Sequence, residues 1–220
     1  MSNRSDMKGS FIIISSPSGG GKGTLIREVM MTMPDIGYSV SYTTRAPRFG
    51  EEHGREYFFI SKAEFDDLIA GNDLLEYAEV HGNMYGTSRS QTEAMLEQGR
   101  DVILEIDVQG ALNMMEKVPD LVSVFILPPS FEVLEARLTA RNTEDVEGLA
   151  LRLRNAVNEV AQYERFQYVI VNDVVSTASR MLGSIICAER QKRIRQTASI
   201  QGILDSFARA KHTFAGDNHT

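Results

Sequence analysis

Residues 15–24, SSPSGGGKGT, place a lysine among four glycines. This spacing is close to G-x-x-x-x-G-K-[ST], a loop whose backbone N–H groups and lysine hold nucleotide phosphates. Ser16 stands at the first glycine of that pattern, and Gly23 stands where Ser or Thr offers a hydroxyl to Mg²⁺. The loop therefore predicts phosphate binding, with the metal held mainly by phosphates, water and a nearby carboxylate. The alternative is a tight turn that carries a solvated lysine.

The neighbours of the loop are those that phosphate binding requires. A short apolar run at residues 11–15 precedes the loop, and a helical pattern at residues 24–33 follows it and stops before Pro34. A strand–loop–helix unit places the loop amides at the positive end of a helix, where anions are stabilised. Glycines allow phosphate to approach the backbone closely. This context favours the phosphate loop over the simple turn.

The rest of the chain alternates apolar runs with helical patterns. Short runs rich in Val and Ile predict strands that are buried on both faces, at residues 11–15, 102–108, 121–127 and 168–172. Amphipathic patterns predict helices at residues 24–33, 90–99, 130–141, 143–166 and 177–194. Capping boxes are predicted at Ser61 with Glu64 and at Ser90 with Glu93. This alternation predicts an α/β fold, a parallel-sheet core flanked by helices.

Residues 38–87 break this alternation, because their runs are shorter, more polar and richer in aromatic side chains. We predict a small mixed β/α insertion there, and a core made of residues 11–37 and 88–196. Residues 1–10 are predicted to be a flexible extension. Residues 197–220 are predicted to be the end of the C-terminal helix followed by a polar tail.

Composition limits the function classes. The chain has 220 residues, 42% hydrophobic and 24% charged, which suits a globular protein with a sizeable core. Its net charge of -7 argues against a protein that coats nucleic acid. The single cysteine, Cys187, excludes a disulfide within the chain and a cysteine-based metal site. No apolar run approaches the length of a membrane span, so we expect a cytoplasmic protein that binds neither membrane nor nucleic acid.

Five further motifs follow the loop in order. They are SYTTRAPRFGEEHGREYFF (residues 41–59), EYAEVHGNMYGTS (76–88), LEIDVQGA (104–111), FILPPS (125–130) and VIVND (169–173). Together with the loop, they resemble the guanylate kinases of the bacterial type, which are P-loop nucleoside monophosphate kinases. The resemblance implies a P-loop core, a GMP-binding insertion and a helical lid at about residues 137–154. It also implies transfer of the γ-phosphoryl group from ATP to GMP, giving ADP and GDP, with Mg²⁺ as cofactor.

The resemblance assigns ATP binding to the loop and to the end of the last strand. The residues implied are Ser16, Pro17, Ser18, Gly19, Gly20, Gly21, Lys22, Gly23, Thr24, Asn172 and Asp173. The last two of these would flank the adenine. The lid arginines Arg137, Arg141 and Arg152 would close over the transferring phosphoryl group and form the catalytic set with Lys22 and Arg45. Asn142 stands where the family often has glycine. The alternative is that these arginines only stabilise helix ends.

The phosphate of GMP is assigned to Arg45 and Arg48, because the planar arginine fork suits phosphate oxygens. Tyr57 and Tyr85 would add hydroxyl donors. The alternative for the arginine pair is surface charge paired with the glutamates that follow.

Reading of guanine is assigned by the resemblance to Glu76, with Ser41 and Thr87 as hydroxyl partners. A carboxylate accepts from both N1–H and the 2-amino group of guanine, and adenine lacks this donor pattern. Glu105 falls where the family has an acidic residue near the 2-amino group. The alternative for Glu76 is an exposed strand residue.

Glu105 and Asp107 interrupt an otherwise apolar strand. Residues two apart on a strand point to the same side, and ligands of parallel sheets bind at the carboxyl ends of strands. Two carboxylates there are costly unless they meet a metal or donors. We predict that Asp107 lies near Mg²⁺ and acts through water.

Two other functions share these motifs. Some relatives of this fold phosphorylate a sugar bisphosphate, and the set Ser41, Glu76 and Thr87 argues against that acceptor. Others are non-catalytic modules that bind phosphorylated peptides, and the intact loop with Lys22 argues against them. We expect ATP, GMP and dGMP as substrates. The sequence leaves open whether the C-terminal helix pairs with a second chain in a homo-oligomer.

Overall fold

The computed structural model describes residues 8–80, 82–118, 120–140 and 146–216. The strands in these segments are β1 (Phe11–Ser15), β2 (Gly37–Ser39), β3 (Tyr42–Thr43), β4 (Phe58–Phe59), β5 (Leu74–Val80), β6 (Asn83–Ser88), β7 (Val102–Glu105), β8 (Val122–Leu127) and β9 (Tyr168–Val171). The helices are α1 (Lys22–Thr32), α2 (Lys62–Ala70), α3 (Arg89–Glu97), α4 (Val108–Lys117), α5 (Phe131–Ala140), α6 (Val146–Val160), α7 (Val175–Arg190) and α8 (Thr197–Gly216). Short 3₁₀ helices follow α6 (Ala161–Arg165) and precede α8 (Arg193–Gln196).

A five-stranded sheet forms the centre of the fold, in the order β2-β7-β1-β8-β9. Every neighbouring pair in it is parallel. The predicted α/β class with a parallel core is therefore confirmed. Because the strands are parallel, the segments that follow β1 and β7 leave the same edge of the sheet and meet there.

Helices cover both faces of this sheet. On one face the strands pack against α1 and α7, through Leu25, Ile26, Val29, Leu182 and Ile186. On the other face they pack against α3 and α4, through Leu96, Ala111 and Met114. Each fully buried Leu, Ile, Val or Met side chain among them contributes about 1.5–3 kcal/mol. The sheet is thus a rigid base for the segments at its carboxyl edge.

Two local predictions were wrong in this core. β7 ends at Glu105, earlier than predicted, because Asp107 caps α4 by accepting the N–H of Gly110 at 2.9 Å. Helix α4 is absent from the sequence prediction, although Asp107 is a good N-cap and apolar residues recur three and four positions apart from Val108 onward.

The predicted capping box at Ser90 is also wrong. Ser88 caps α3 instead, by accepting from the N–H of Gln91 at 3.3 Å. Ser90 donates its N–H and its hydroxyl to Asp73. The box at Ser61 and Glu64 is confirmed at the start of α2.

A second, mixed sheet follows β2, in the order β4-β3-β6-β5. β6 is antiparallel to both β3 and β5, whereas β3 and β4 are parallel. With α2 it forms a mixed β/α unit of the kind predicted for residues 38–87. Tyr38 and Ser39 belong to β2 of the central sheet, so the unit begins later than the predicted boundary.

Helices α5 and α6 form a small cluster of their own, in which Leu134, Leu138 and Ala156 are buried. The predicted lid at residues 137–154 overlaps both helices. Arg141 and Asn142, which the lid prediction also involves, lie outside the described residues.

The C-terminal region differs from the prediction. Helix α7 ends at Arg190, and α8 is a separate helix of 20 residues rather than a helix end with a polar tail. Ile200, Ile203, Leu204 and Phe207 of α8 are exposed, Phe207 at 70%. None of the described helices is both long and apolar enough to cross a membrane.

Candidate active site

A cavity of about 220 Å³ lies where the loop after β1, the end of β7, the second sheet and α6 come together. The predicted site residues that line it are Ser16, Ser18, Lys22, Ser41, Arg45, Arg48, Tyr57, Glu76, Tyr85, Glu105, Asp107 and Arg152. They come from segments that are far apart in the sequence. The cavity therefore brings the lysine of the loop and the buried carboxylate of β5 to one place.

The loop between β1 and α1 depends on glycine at two positions. Gly19 and Gly21 have φ angles of 84° and 88°, which side chains rarely adopt. A methyl group at Gly19 would also lie 2.9 Å from Leu134 Cδ1 of α5. Among the described residues, no side chain caps α1, so the first N–H groups of the helix are open to an anion.

Asn172 supports the loop from behind. Its side-chain N–H donates to the carbonyl of Gly20 at 3.0 Å, and Arg137 donates to the carbonyl of Asn172 at 2.9 Å. Asn172 Oδ1 and Arg137 Nη1 are buried without a hydrogen-bond partner within the described segments. Neither residue lines the cavity. A contact between residues 20 and 172 has no local signal in the sequence.

Glu105 stands beside the loop. Its Oε1 lies 3.9 Å from Lys22 Nζ, and its Oε2 accepts the hydroxyl of Tyr38 at 3.1 Å. Burial and the Glu105 carboxylate raise the pKa of Tyr38, so this hydroxyl stays protonated and keeps donating. Tyr38 is absent from the predicted site residues, and nothing in its sequence context marks it.

Glu76 is buried, with 4% of its surface exposed, which excludes the alternative of an exposed strand residue. Thr87 donates its hydroxyl to Glu76 Oε1 at 2.7 Å. Burial raises the pKa of Glu76 to about 7, and the charge of Asp107 acts in the same direction. The single hydroxyl hydrogen of Thr87 is used on Glu76, so Thr87 orients this carboxylate.

The two strand-end carboxylates have different surroundings. Glu105, which the resemblance assigns to the neighbourhood of the guanine 2-amino group, lies beside Lys22. Asp107, which is predicted to lie near Mg²⁺, caps α4 and raises the pKa of Glu76. The reason is that the strand ends at Glu105, so the two side chains do not share the period-two geometry of a strand.

Arg45 is held by a carboxylate and by aromatic rings. Its Nη2 lies 3.0 Å from Glu51 Oε1, and its guanidinium carbon lies 5.5 Å from the centre of the Tyr57 ring. The backbone N–H of Arg48 donates to Glu51 Oε2 at 2.7 Å. Burial would raise the pKa of Glu51, but the hydrogen bonds from both arginines outweigh it and hold that pKa below its ordinary value. Tyr85 packs edge-on against Tyr57.

Helix α6, which overlaps the predicted lid, reaches the loop. Arg152 lines the cavity, and Glu159, two turns later on the same face, accepts the N–H of Ser18 at 3.1 Å. Among the three predicted lid arginines, Arg152 alone is described as lining the cavity. Arg137 lies against Asn172, and Arg141 falls outside the described residues.

Several residues depart from the predicted set. Those predicted but not lining the cavity are Pro17, Gly19, Gly20, Gly21, Gly23, Thr24, Thr87, Arg137, Asn172 and Asp173. Those lining it without being predicted are Glu51, Val80, Gly86, Ile106 and Glu159. Glu51 lies within the arginine motif, whereas the contact of Glu159 with Ser18, 141 positions away, has no local signal.

The residues present suit a hard divalent cation bound together with phosphates. No group of three or more His, Cys, Asp or Glu able to hold a metal occurs within the described segments. Mg²⁺ needs no such cage, because it keeps several waters and takes one or two carboxylates plus substrate phosphates. Glu105 offers one carboxylate beside the loop.

Known proteins resemble this chain over most of its length. The guanylate kinase family model matches residues 8–189. The chain is 42% identical to a guanylate kinase of Koribacter versatilis, over 91% of this chain and 97% of that protein. It is 47% identical to that of Vibrio parahaemolyticus, over 91% and 98%. A solved guanylate kinase from Anaplasma phagocytophilum superposes with a TM-score of 0.73 at 34% identity, covering 86% of this chain and 90% of that one. The chain belongs to the guanylate kinase family.

Proposed function

We propose that this protein transfers the γ-phosphoryl group of ATP to GMP, giving ADP and GDP. The observation that carries the proposal is the shared cavity, in which Lys22 of the loop and the buried Glu76 face one space. A phosphate loop alone does not define the acceptor. The buried carboxylate in the same cavity indicates an acceptor that carries hydrogen-bond donors, because a buried carboxylate must receive such donors to offset its desolvation.

ATP binds along the loop. The N–H groups at the start of α1 hold its phosphates, and Lys22 reaches the transferring group. Asn172 and Asp173 lie on the adenine side in this assignment. The unpartnered Asn172 Oδ1 and Arg137 Nη1 support it, because buried polar atoms of this kind gain most from a polar ligand.

GMP binds in the second sheet. Glu76 accepts from N1–H and the 2-amino group of guanine, Asp107 adds a second carboxylate nearby, and Ser41 supplies a hydroxyl. The short distance between Thr87 and Glu76 supports this role, since it orients the carboxylate.

Arg45 and Arg48, with Tyr57 and Tyr85, grip the GMP phosphate. Glu51 orients Arg45 before the substrate arrives, which reduces the entropy lost on binding.

The chemistry needs little covalent help from the protein. The attacking atom is a phosphate oxygen that is already ionised at neutral pH, so no strong general base is required. Catalysis is then mainly positioning and neutralisation of charge. Lys22, Arg45 and Arg152 supply the cations, and the predicted Arg141 would add another.

Mg²⁺ is the cofactor in this proposal. It would supply positive charge to offset the negative charge that develops on the phosphates during transfer. Glu105 would hold it, directly or through water, because this carboxylate lies beside Lys22. Asp107 is assigned to the guanine side instead. Use of dGMP, a cytoplasmic location, the domain division and a homo-oligomer remain predictions.

The test is a coupled assay that measures ADP release by the purified protein in the presence of ATP and Mg²⁺. GMP, AMP, UMP and CMP are offered in separate reactions. We expect turnover with GMP alone among the four. Turnover with AMP, UMP or CMP at a similar rate, or none with GMP in protein that binds ATP, would contradict the proposal. A phosphorylated sugar and a phosphopeptide are then the acceptor and ligand to test.

A further inference from the structure

Helices α5 and α6 contact the loop after β1 at two adjacent residues. At Gly19, a Cβ atom would lie 2.9 Å from Leu134 Cδ1 and 3.0 Å from Leu138 Cδ2, so α5 covers this glycine directly. At Ser18, the backbone N–H donates to Glu159 Oε2 of α6 at 3.1 Å. The loop therefore has an apolar contact with α5 beside a polar contact with α6.

The N–H group that Glu159 accepts is separate from those at the start of α1. Gly21 is the N-cap of α1, and Ser18 precedes it in the loop. The open N–H groups of a helix belong to its first turn, after the N-cap. The contact between Glu159 and Ser18 therefore leaves those groups to an anion, and Glu159 can keep its partner while phosphate binds.

Arg152 lies on the same side of α6 as Glu159, two turns closer to the start of the helix. Two turns correspond to roughly 10 Å along a helix axis. Arg152 lines the active-site cavity and also a neighbouring cavity of about 320 Å³, which it shares with Arg45 and Arg48. Helix α6 thus extends from the loop to the arginines proposed to bind the GMP phosphate.

The apolar contacts of α6 do not by themselves fix its position on the loop. The helix packs against α5 through Leu149, Leu153 and Ala156. Apolar burial is non-directional, whereas a hydrogen bond restricts both distance and angle. Glu159 is only partly buried, so its contribution to the core is small. Its hydrogen bond to Ser18 is the contact that can set the height of α6 above the loop.

We propose that Glu159 is a positioning residue, which holds α6 on the loop through Ser18 and thereby places Arg152 at the phosphoryl group being transferred. This inference rests on the proposed function, because Arg152 acts there on the group that passes from ATP to GMP. The role requires an acceptor oxygen at the right distance rather than a negative charge. Glu159 lines the same cavity as Lys22, where a negative charge repels phosphates.

The first test is a series of substitutions at Glu159, followed by steady-state kinetics with ATP and GMP. We expect Glu159→Ala to lower kcat roughly tenfold or more, because a small misplacement of a catalytic group is costly. KM for both substrates should stay within about twofold, since the contact acts on the transition state. Glu159→Asp withdraws the acceptor by roughly 1.5 Å and should lose as much. Glu159→Gln keeps the length and a carbonyl acceptor, and it should restore kcat to within about threefold of the original protein.

The second test is a double-mutant cycle with Arg152→Ala. We expect Arg152→Ala to lower kcat about a hundredfold. Adding Glu159→Ala should change this value by less than about threefold, because the two residues act as one unit. Glu135→Ala, at an exposed position on α5, is the control for a lost glutamate in the same pair of helices. Thermal unfolding of each variant separates a loss of stability from a loss of position.

The hydrogen bond itself is measured without turnover. We expect the backbone amide of Ser18 to exchange with solvent faster in Glu159→Ala and Glu159→Asp than in the original protein, as followed by NMR. Glu159→Gln should keep the original exchange rate. Unchanged exchange in Glu159→Ala would show that the contact with Ser18 does not hold the loop.

Four kinetic results would overturn the positioning role. They are normal kcat in Glu159→Ala, a loss in Glu159→Gln as large as in Glu159→Ala, losses that add to those of Arg152→Ala, and faster turnover with tighter ATP binding in Glu159→Ala. The last result would mean that the carboxylate competes with phosphate for the loop. Turnover of GMP by the unmodified protein is measured on the same preparation. Its absence would overturn the proposed function and this inference together, whereas turnover with additive losses overturns this inference alone.

Discussion

The loop at residues 15–24 and the proposed guanine pocket (Ser41, Glu76, Thr87 and Asp107) are built in different ways. The loop is one continuous segment whose ligands are mostly backbone N–H groups. The pocket collects side chains from the second sheet, from the residue before β3 and from the N-cap of α4. A site made of backbone groups depends on φ angles and on the space around the backbone. A site made of side chains depends on the neighbouring residues that orient each side chain.

This difference decides how each site tolerates variation. Ser16 and Gly23 depart from the usual loop pattern, yet the strand, the turn and the helix keep their places. In the pocket, Glu76 is buried and its pKa is raised, so its charge depends on the ligand. The orientation of its carboxylate depends on the hydrogen bond from Thr87. Lys22, by contrast, has 25% of its side chain exposed, and water stabilises its charge.

Changing Lys22 to Ala should have the largest effect, because it removes the function of the phosphate loop. We expect kcat to fall about a thousandfold, because the cation that neutralises the transferring phosphoryl group is lost. Thermal unfolding should change little, since Lys22 is not part of the core. Steady-state kinetics give the measurement, and Lys62→Ala, at an exposed position on α2, is the control. Near-normal turnover would remove the loop from the mechanism.

Changing Glu76 to Gln should weaken the use of GMP without affecting ATP binding. We expect kcat/KM for GMP to fall roughly a hundredfold, as one charged hydrogen-bond acceptor is lost, while KM for ATP stays the same. Stability at pH 8 should not fall, because a buried charge is removed as well. Equal losses for GMP and ATP would show that Glu76 does not read the base.

Lowering the pH should weaken the function of the guanine pocket before it affects the phosphate loop. Glu76 has its pKa raised from 4.5 to about 7 by burial, so below pH 7 it is protonated in the free protein. We expect kcat/KM for GMP to fall about tenfold per pH unit below 7. Because the phosphate of GMP also titrates near 6, Glu76→Gln is the control, and its profile should be flatter above pH 6. Parallel profiles for both proteins would assign the titration elsewhere.

The same group has an opposite effect on folding. The folded-state pKa of Glu76 lies above its ordinary value, so its contribution to stability is complete below pH 4.5 and is lost as pH rises through 7. Denaturant unfolding of the original protein and Glu76→Gln across this range would show the difference.

The smallest expected effect comes from a substitution at Gly110, which lies against Glu76. A methyl group there would lie 2.6 Å from Glu76 Oε2, so this glycine leaves room for the carboxylate. We expect Gly110→Ala to raise KM for GMP several-fold to about tenfold, as Glu76 is displaced, without changing KM for ATP. In the Glu76→Gln background the same change should add little. Gly183→Ala, whose nearest neighbour is 3.8 Å away, is the control. Equal increases in both backgrounds would mean that Gly110 does not act through Glu76.

The sequence alone determined the α/β class, the strand–loop–helix unit, the mixed insertion and most of the residues around the cavity. These follow from local properties: apolar periodicity, glycine spacing and motif order. Tertiary structure decided the different surroundings of Glu105 and Asp107, the support of the loop by Asn172, and the contacts of Tyr38 and Glu159. Each of these depends on where a strand ends or on a contact between distant segments. Local pattern carries no record of such contacts, because only packing brings those side chains together.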